Sequence, residues 1–172
     1  MHAKGFAVLA LAMPALTQAA EWGLGATVGA DGNAIYVPVK VSETLRVEPY
    51  VSYYDLESDF GTANTSYQYA EGGVGFFGQA AVTEQVQSYV GARFGYFRNK
   101  GESSGGFSDT DEEGFIIAPT IGGEFFFVPQ FAVGVEAYVF YRDSDEDIEG
   151  FGEAETKDYG TGSRVVARFF FK

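Results

Sequence analysis

The chain has 172 residues, no Cys, 24 acidic against 11 basic side chains and a net charge of −13. That length fits a single domain, the lack of thiols excludes disulfides and thiolate chemistry, and the charge argues against nucleic acid or a bare anionic lipid surface as a partner.

Residues 1–20 carry one Lys (Lys4), an apolar run from Gly5 to Met13, a break at Pro14 and the small-residue tail Thr17-Gln18-Ala19-Ala20. The run is too short to cross a bilayer, and the layout is that of a secretory signal peptide cleaved after Ala19 or Ala20. The expected domain is then 21–172, with a charge of −14 once Lys4 is lost. The one His, His2, falls in the segment expected to be removed. Ser-His-Asp catalysis and His-held metal centres are therefore excluded from the remainder.

From Glu21 onward the apolar residues recur with period two, the signature of strands with two unlike faces. Eight segments follow. The first, Glu21 to Ala30, aligns Trp22, Leu24, Ala26 and Val28, and Asp31-Gly32 turns tightly into the second, Asn33 to Val41. Ser42-Glu43-Thr44 leads to the third, Leu45 to Tyr54. The fourth runs from Ser66 to Ala81, the fifth from Val86 to Phe97 and the sixth from Gly114 to Phe126. The seventh, Phe131 to Tyr141, alternates Phe131, Val133, Val135, Ala137, Val139 and Tyr141 with Ala132, Gly134, Glu136, Tyr138 and Phe140; the eighth is Asp158 to Phe171. Pro38, Pro49 and Pro119 fall inside strands, where bulges or wide-pair positions are expected.

Connections after the second, fourth and sixth strands are short. Those after the third, fifth and seventh are long and hold 16 of the 24 acidic residues. No apolar run after residue 20 is long enough for a spanning helix, so membrane insertion would require a closed barrel. The fold class expected is all-β, an eight-stranded antiparallel up-and-down transmembrane β-barrel with both termini periplasmic and the long loops extracellular.

Alternation alone does not say which face meets lipid, since a soluble lipocalin-like carrier alternates equally well. Two features favour lipid outside. The apolar face has aromatics at both ends: Trp22, Phe125, Phe131, Phe169 and Phe171 near the short turns, and Tyr53, Tyr96, Phe115, Tyr141 and Tyr159 near the long loops, as in interfacial girdles. The other face is rich in Gly and carries Arg46, Arg93, Arg164 and Arg168 with Glu48, Glu71, Glu124 and Glu136, four charges of each sign, expected to form an ion-pair network in the lumen.

No catalytic residue and no cofactor site emerges. A pair such as Glu124 and Glu136 is better read as salt bridging than as a glycosidase dyad. Asp143, Asp145, Asp147 and Glu149 have the one-in-two spacing of a calcium loop, but Ile148 stands where an EF-hand needs Gly and Ala154 where it needs Glu. These four are weak metal candidates, and divalent cations are expected at most as weakly held partners of the acidic loop carboxylates.

With eight strands, a signal peptide and a last strand ending Val165, Ala167, Phe169 and Phe171, the chain resembles the small outer-membrane β-barrel family that includes the OmpA transmembrane domain, OmpX and Ail-type adhesins. The resemblance implies a bacterial outer-membrane location, contact with lipid and lipopolysaccharide, and recognition of the last strand, through Phe171, by the barrel assembly machinery. Lys172 after that aromatic departs from the pattern. It implies no enzyme and a structural or surface-interaction role, envelope integrity or adhesion. The alternatives are a narrow porin-like channel, which inward Tyr36, Tyr50, Tyr89, Tyr138 and Phe140 would obstruct, and a secreted lipocalin-like carrier, whose Gly-x-Trp motif is absent because Trp22 precedes Gly23.

Overall fold

The structure, a computed structural model, describes residues 21–29, 32–59, 64–103, 109–148 and 152–171. Its strands are β1 (Glu21–Gly29), β2 (Gly32–Tyr36), β3 (Val39–Lys40), β4 (Leu45–Asp59), β5 (Asn64–Ala81), β6 (Val86–Ser103), β7 (Thr110–Val128), β8 (Phe131–Ile148) and β9 (Gly152–Phe171). Strands β2 and β3 both lie between β1 and β4, so they are two halves of one barrel strand. All pairings are antiparallel, and β1 pairs with β9 from Trp22↔Phe171 to Gly29↔Arg164, which closes an eight-stranded barrel. Over the height that all strands share, closure gives each strand two neighbours and leaves no edge. The segment expected to be a signal peptide lies outside the described residues.

Parity sorts the side chains. Val135 is 64% exposed on the outside, whereas the next residue, Glu136, is 2% exposed in the lumen. Outward β-branched and aromatic residues favour the extended backbone and pair across strands, as in Val135↔Val165 and Tyr141↔Tyr159. Inward glycines make room for rings on the neighbouring strand: a Cβ on Gly25 would lie 2.2 Å from the Tyr36 ring, one on Gly122 2.4 Å from Tyr89, and one on Gly160 2.7 Å from Phe140. In each case glycine and aromatic are direct cross-strand partners.

The prolines do not introduce bulges. Register is unchanged across Pro38 and Pro49, from Tyr36↔Tyr50 to Val39↔Val47, and across Pro119, from Ile117↔Tyr141 to Thr120↔Tyr138. The ladder loses only the pairs in between, and at the first gap the Val37 amide donates to the Pro49 carbonyl (2.9 Å) and the Gly23 amide to that of Pro38 (2.8 Å). Among the described pairs the one register shift lies between Phe126 and Val128.

The expected strand ends fall short. β4 continues past Tyr54 to Asp59 and pairs with β5 from Asn64; β6 continues past Phe97 to Ser103; β8 continues past Tyr141 to Ile148, opposite a β9 that starts at Gly152 instead of Asp158. Much of what the sequence presents as long acidic loops is therefore paired strand that projects beyond the apolar band. Both chain ends of the barrel, Trp22 and Phe171, lie at the opposite end with the short turns.

The projecting wall is uneven. β1 and β2 end at Gly29↔Gly32, while β4 goes on to Asp59 and β9 begins at Gly152. Above the β1–β2 hairpin, Tyr53 to Asp59 and Gly152 to Ser163 have no partner on that side among the described residues. The wall is lowest there.

Candidate functional site

The lumen is filled in layers. Nearest the short turns, Phe126 and Phe170 stack at 6.1 Å, with Lys40 over the Phe170 ring at 4.2 Å and paired to Glu21 at 3.1 Å. Above them lies a layer of charge. Arg46 Nη1 donates to Glu124 Oε1 at 2.6 Å, Arg168 Nη1 to Glu124 Oε2 at 2.6 Å, Arg168 Nε to Glu48 Oε1 at 2.9 Å and Arg93 Nη2 to Glu48 Oε2 at 2.9 Å. Glu136 accepts from Arg93, Arg164 and Arg168 at 2.6 to 3.0 Å and from the Tyr89 hydroxyl at 2.9 Å. Arg46 Nε sits 2.9 Å from Glu48 Oε1 at an angle that makes it a charge contact without a hydrogen bond.

Of the eight residues expected in the network, the structure joins seven and sets Glu71 apart. Glu71 accepts from the hydroxyls of Tyr50 (2.5 Å) and Tyr69 one layer further out. The seven carry four guanidinium groups and three carboxylates, and cation–π contacts share the excess: Arg46 lies 4.5 Å from the Tyr89 ring, Arg93 4.6 Å from Phe77 and Arg164 4.7 Å from Tyr138. Arg46, Arg168, Glu48 and Glu136 are among the most deeply buried side chains of the molecule. Charges this dry persist only when paired, so the layer is one interlocked unit. Glu112, which accepts from the buried Ser144 hydroxyl at 2.7 Å, and Arg142 add further inward charges; Arg142 stacks 4.8 Å from Phe140 and 5.5 Å from Phe97. Parity with Phe140 is the sequence signal for it, one that an expected strand end at Tyr141 cuts off.

Outside, the apolar band ends in rings. At the turn end Trp22 packs at a tilt on Phe171 at 4.5 Å, and Phe169 meets Phe171 at 5.3 Å and Phe125 meets Phe127 at 5.0 Å edge to face. Phe131 lies 6.0 Å from Phe127, which joins the row beyond the expected end of its strand at Phe126. At the other end Tyr96 meets Phe115 at 5.3 Å, and Tyr53, Tyr141 and Tyr159 are exposed beside them. From Phe131 to Tyr141 the band is roughly 25 Å tall at about 3.3 Å per residue and a tilt of about 40°. Val165, Ala167, Phe169 and Phe171 lie along β9 opposite Val28, Ala26, Leu24 and Trp22 of β1, at the closing seam.

Beyond the band, Asp143, Asp145 and Asp147 alternate along β8, opposite Phe115, Glu113 and Asp111 of β7; Glu149 lies outside the described residues. No three His, Cys, Asp or Glu side chains among the described residues come close enough to share a metal ion. Here Arg98 donates to Asp111 through Nε (2.8 Å) and Nη2, and this hydrogen bonding holds the Asp111 carboxyl below the usual range. Lys157 does the same for Glu155.

No protein-family model and no curated protein matches the sequence. The fold is similar to the crystal structure of a major outer membrane protein from Thermus thermophilus, at a TM-score of 0.60 and 11% identity over 90% of this chain and 100% of that one. It is similar also to that of Neisserial surface protein A, at 0.58 and 16% over 88% and 94%. At these identities the likeness is one of fold: a small, closed, eight-stranded barrel.

Proposed function

We propose that the chain is an integral, non-enzymatic barrel of a bacterial outer membrane, a stable anchor that presents an acidic surface outside the cell in a role of envelope integrity or adhesion. The observation that carries this reading is the inversion of polarity. Leu24, Val28, Val90, Ile121, Val135 and Val165 are 51 to 66% exposed on the barrel wall, while Arg46, Glu48 and Arg168 are fully buried within. Burying that belt is favourable at about 25 cal/mol per Å² of apolar surface, so water is the wrong solvent for it. Lipid is the right one, and the tyrosine and phenylalanine rows fit the headgroup levels.

In this reading the termini and short turns face the periplasm, and the long strand extensions face outside. The last strand, ending in Phe169 and Phe171, presents the aromatic pattern read by the assembly machinery. The acidic extensions meet lipopolysaccharide through divalent ions gathered diffusely by opposed carboxylates such as Glu113↔Asp145, which repel each other otherwise. Glu124 and Glu136 are each bridged by guanidinium groups, which supports a structural role for them over a hydrolytic one. The same layer obstructs a porin-like path, and a charged lumen is unsuited to a lipocalin's apolar ligand.

The test is refolding of residues 21–172 from urea into detergent micelles, followed by electrophoresis with and without boiling. A heat-modifiable mobility shift is expected. A chain that folds in plain buffer and shows no shift overturns the proposal.

A further inference from the structure

We propose that the outer half of the lumen is a binding cup for one small oxyanion of the phosphate class, held by Arg142 and Arg164. This goes beyond the anchoring role and rests on the lumen alone. On the loop side of the charge layer lies a cavity of about 50 Å³ lined by Thr27, Tyr50, Ser52, Tyr138, Arg142 and Arg164 among others. It is polar and large enough for several water molecules or one tetrahedral anion, and far below the size of an organic ligand site.

Arg142 and Arg164 both line this cavity, and one nitrogen of each, Arg142 Nε and Arg164 Nη2, is buried without an acceptor among the described residues. Stacking explains why they are free. Arg142 rests on Phe140 and Phe97 and Arg164 on Tyr138, contacts that use the flat face of a guanidinium and leave its in-plane N–H groups available. A buried charged donor left unsatisfied is costly, so an acceptor is wanted at this place.

The nearby carboxylates are already engaged. Glu71 is capped by Tyr50 and Tyr69, and Glu136 is bridged by Arg93, Arg164 and Arg168. Asp158 is the register partner of Arg142, yet Arg142 forms no ion pair among the described residues. Thr27, Gly29, Ala34 and Ser52 line the cup where the β1–β2 hairpin leaves the wall lowest, which gives a small ion a way in.

The experiment uses ¹⁵N-labelled residues 21–172 refolded in octyl glucoside, a detergent without phosphate, and titrated with inorganic phosphate at constant ionic strength set by chloride. Saturable shifts of the Arg142 and Arg164 side-chain N–H signals are expected. Arg142→Gln should weaken binding at least about tenfold, the worth of a charged hydrogen bond, with the heat-modifiable mobility retained, and Arg98→Gln should leave binding unchanged. If Arg142→Gln does not fold, Arg142→Lys keeps the charge, loses the fork and should also bind more weakly. Shifts that fail to saturate, that chloride reproduces, or that stay at Arg98, Lys100 and Lys157 overturn the cup. Shifts raised by lipopolysaccharide micelles but not by inorganic phosphate overturn the assignment to a free ion.

Discussion

Replacing Glu136 by Gln removes the most connected carboxylate of the lumen without changing its shape. Glu136 accepts four guanidinium hydrogen bonds and one from Tyr89, and its charge is shared by Arg93, Arg164 and Arg168. Its loss raises the imbalance of the charge layer from four guanidinium groups against three carboxylates to four against two. Breaking a buried pair from one side costs about 3–5 kcal/mol; because Gln retains one acceptor oxygen, about 3 kcal/mol is expected. With a urea slope of about 2 kcal/mol/M, the unfolding midpoint in micelles should fall by about 1.5 M at unchanged slope. Trp22 fluorescence and the boiled-against-unboiled gel follow the same transition. A midpoint moved by less than about 0.3 M would refute the reasoning, because the layer would then be a loose set of pairs with no collective worth.

Glu71→Gln should cost less, about 1–2 kcal/mol, since it disturbs two tyrosine hydrogen bonds and no ion pair; urea titration of the same kind checks it. Gly91→Ala should abolish the gel shift, because the added Cβ would lie 1.9 Å from the Phe76 carbonyl oxygen, whereas Gly72→Ala, with its nearest atom at 4.0 Å, should fold normally. In the rim, Asp111 should titrate below the ordinary aspartate value of about 3.9, and Arg98→Gln should return it there, as read by carboxyl NMR shifts. A depressed value means that its small contribution is present above the ordinary value and is lost as pH falls through the folded one. Bilayer recordings should show no conductance steps, since the charge layer seals the lumen.

Period-two alternation is strong enough to place Glu136 and Arg164 on one face, and they prove to be direct cross-strand partners. What the sequence hides is height. Arg46, near the start of β4, meets Glu124, near the end of β7, across the lumen, and only three-dimensional closure with tilted strands sets that meeting. Glu71 shares the parity of the network but sits a layer above it. The strand ends are illegible for another reason: beyond Tyr54, Phe97 and Tyr141 polar residues dominate both faces, with only single apolar residues such as Leu56 between them, so the hydrophobic alternation stops while the backbone ladder continues through pairs such as Glu57↔Ser66 and Lys100↔Asp111. Pro119 keeps the register because its missing amide removes ladder pairs without inserting a residue.

The most direct measurement uses the chain's one Trp. Trp22 lies on the outside at the turn end, 53% exposed. Residues 21–172 refolded into vesicles whose acyl chains carry bromine should show Trp22 emission strongly quenched relative to unbrominated vesicles. Equal emission in the two, with the protein recovered from the aqueous phase, would contradict a barrel that turns its apolar face to lipid.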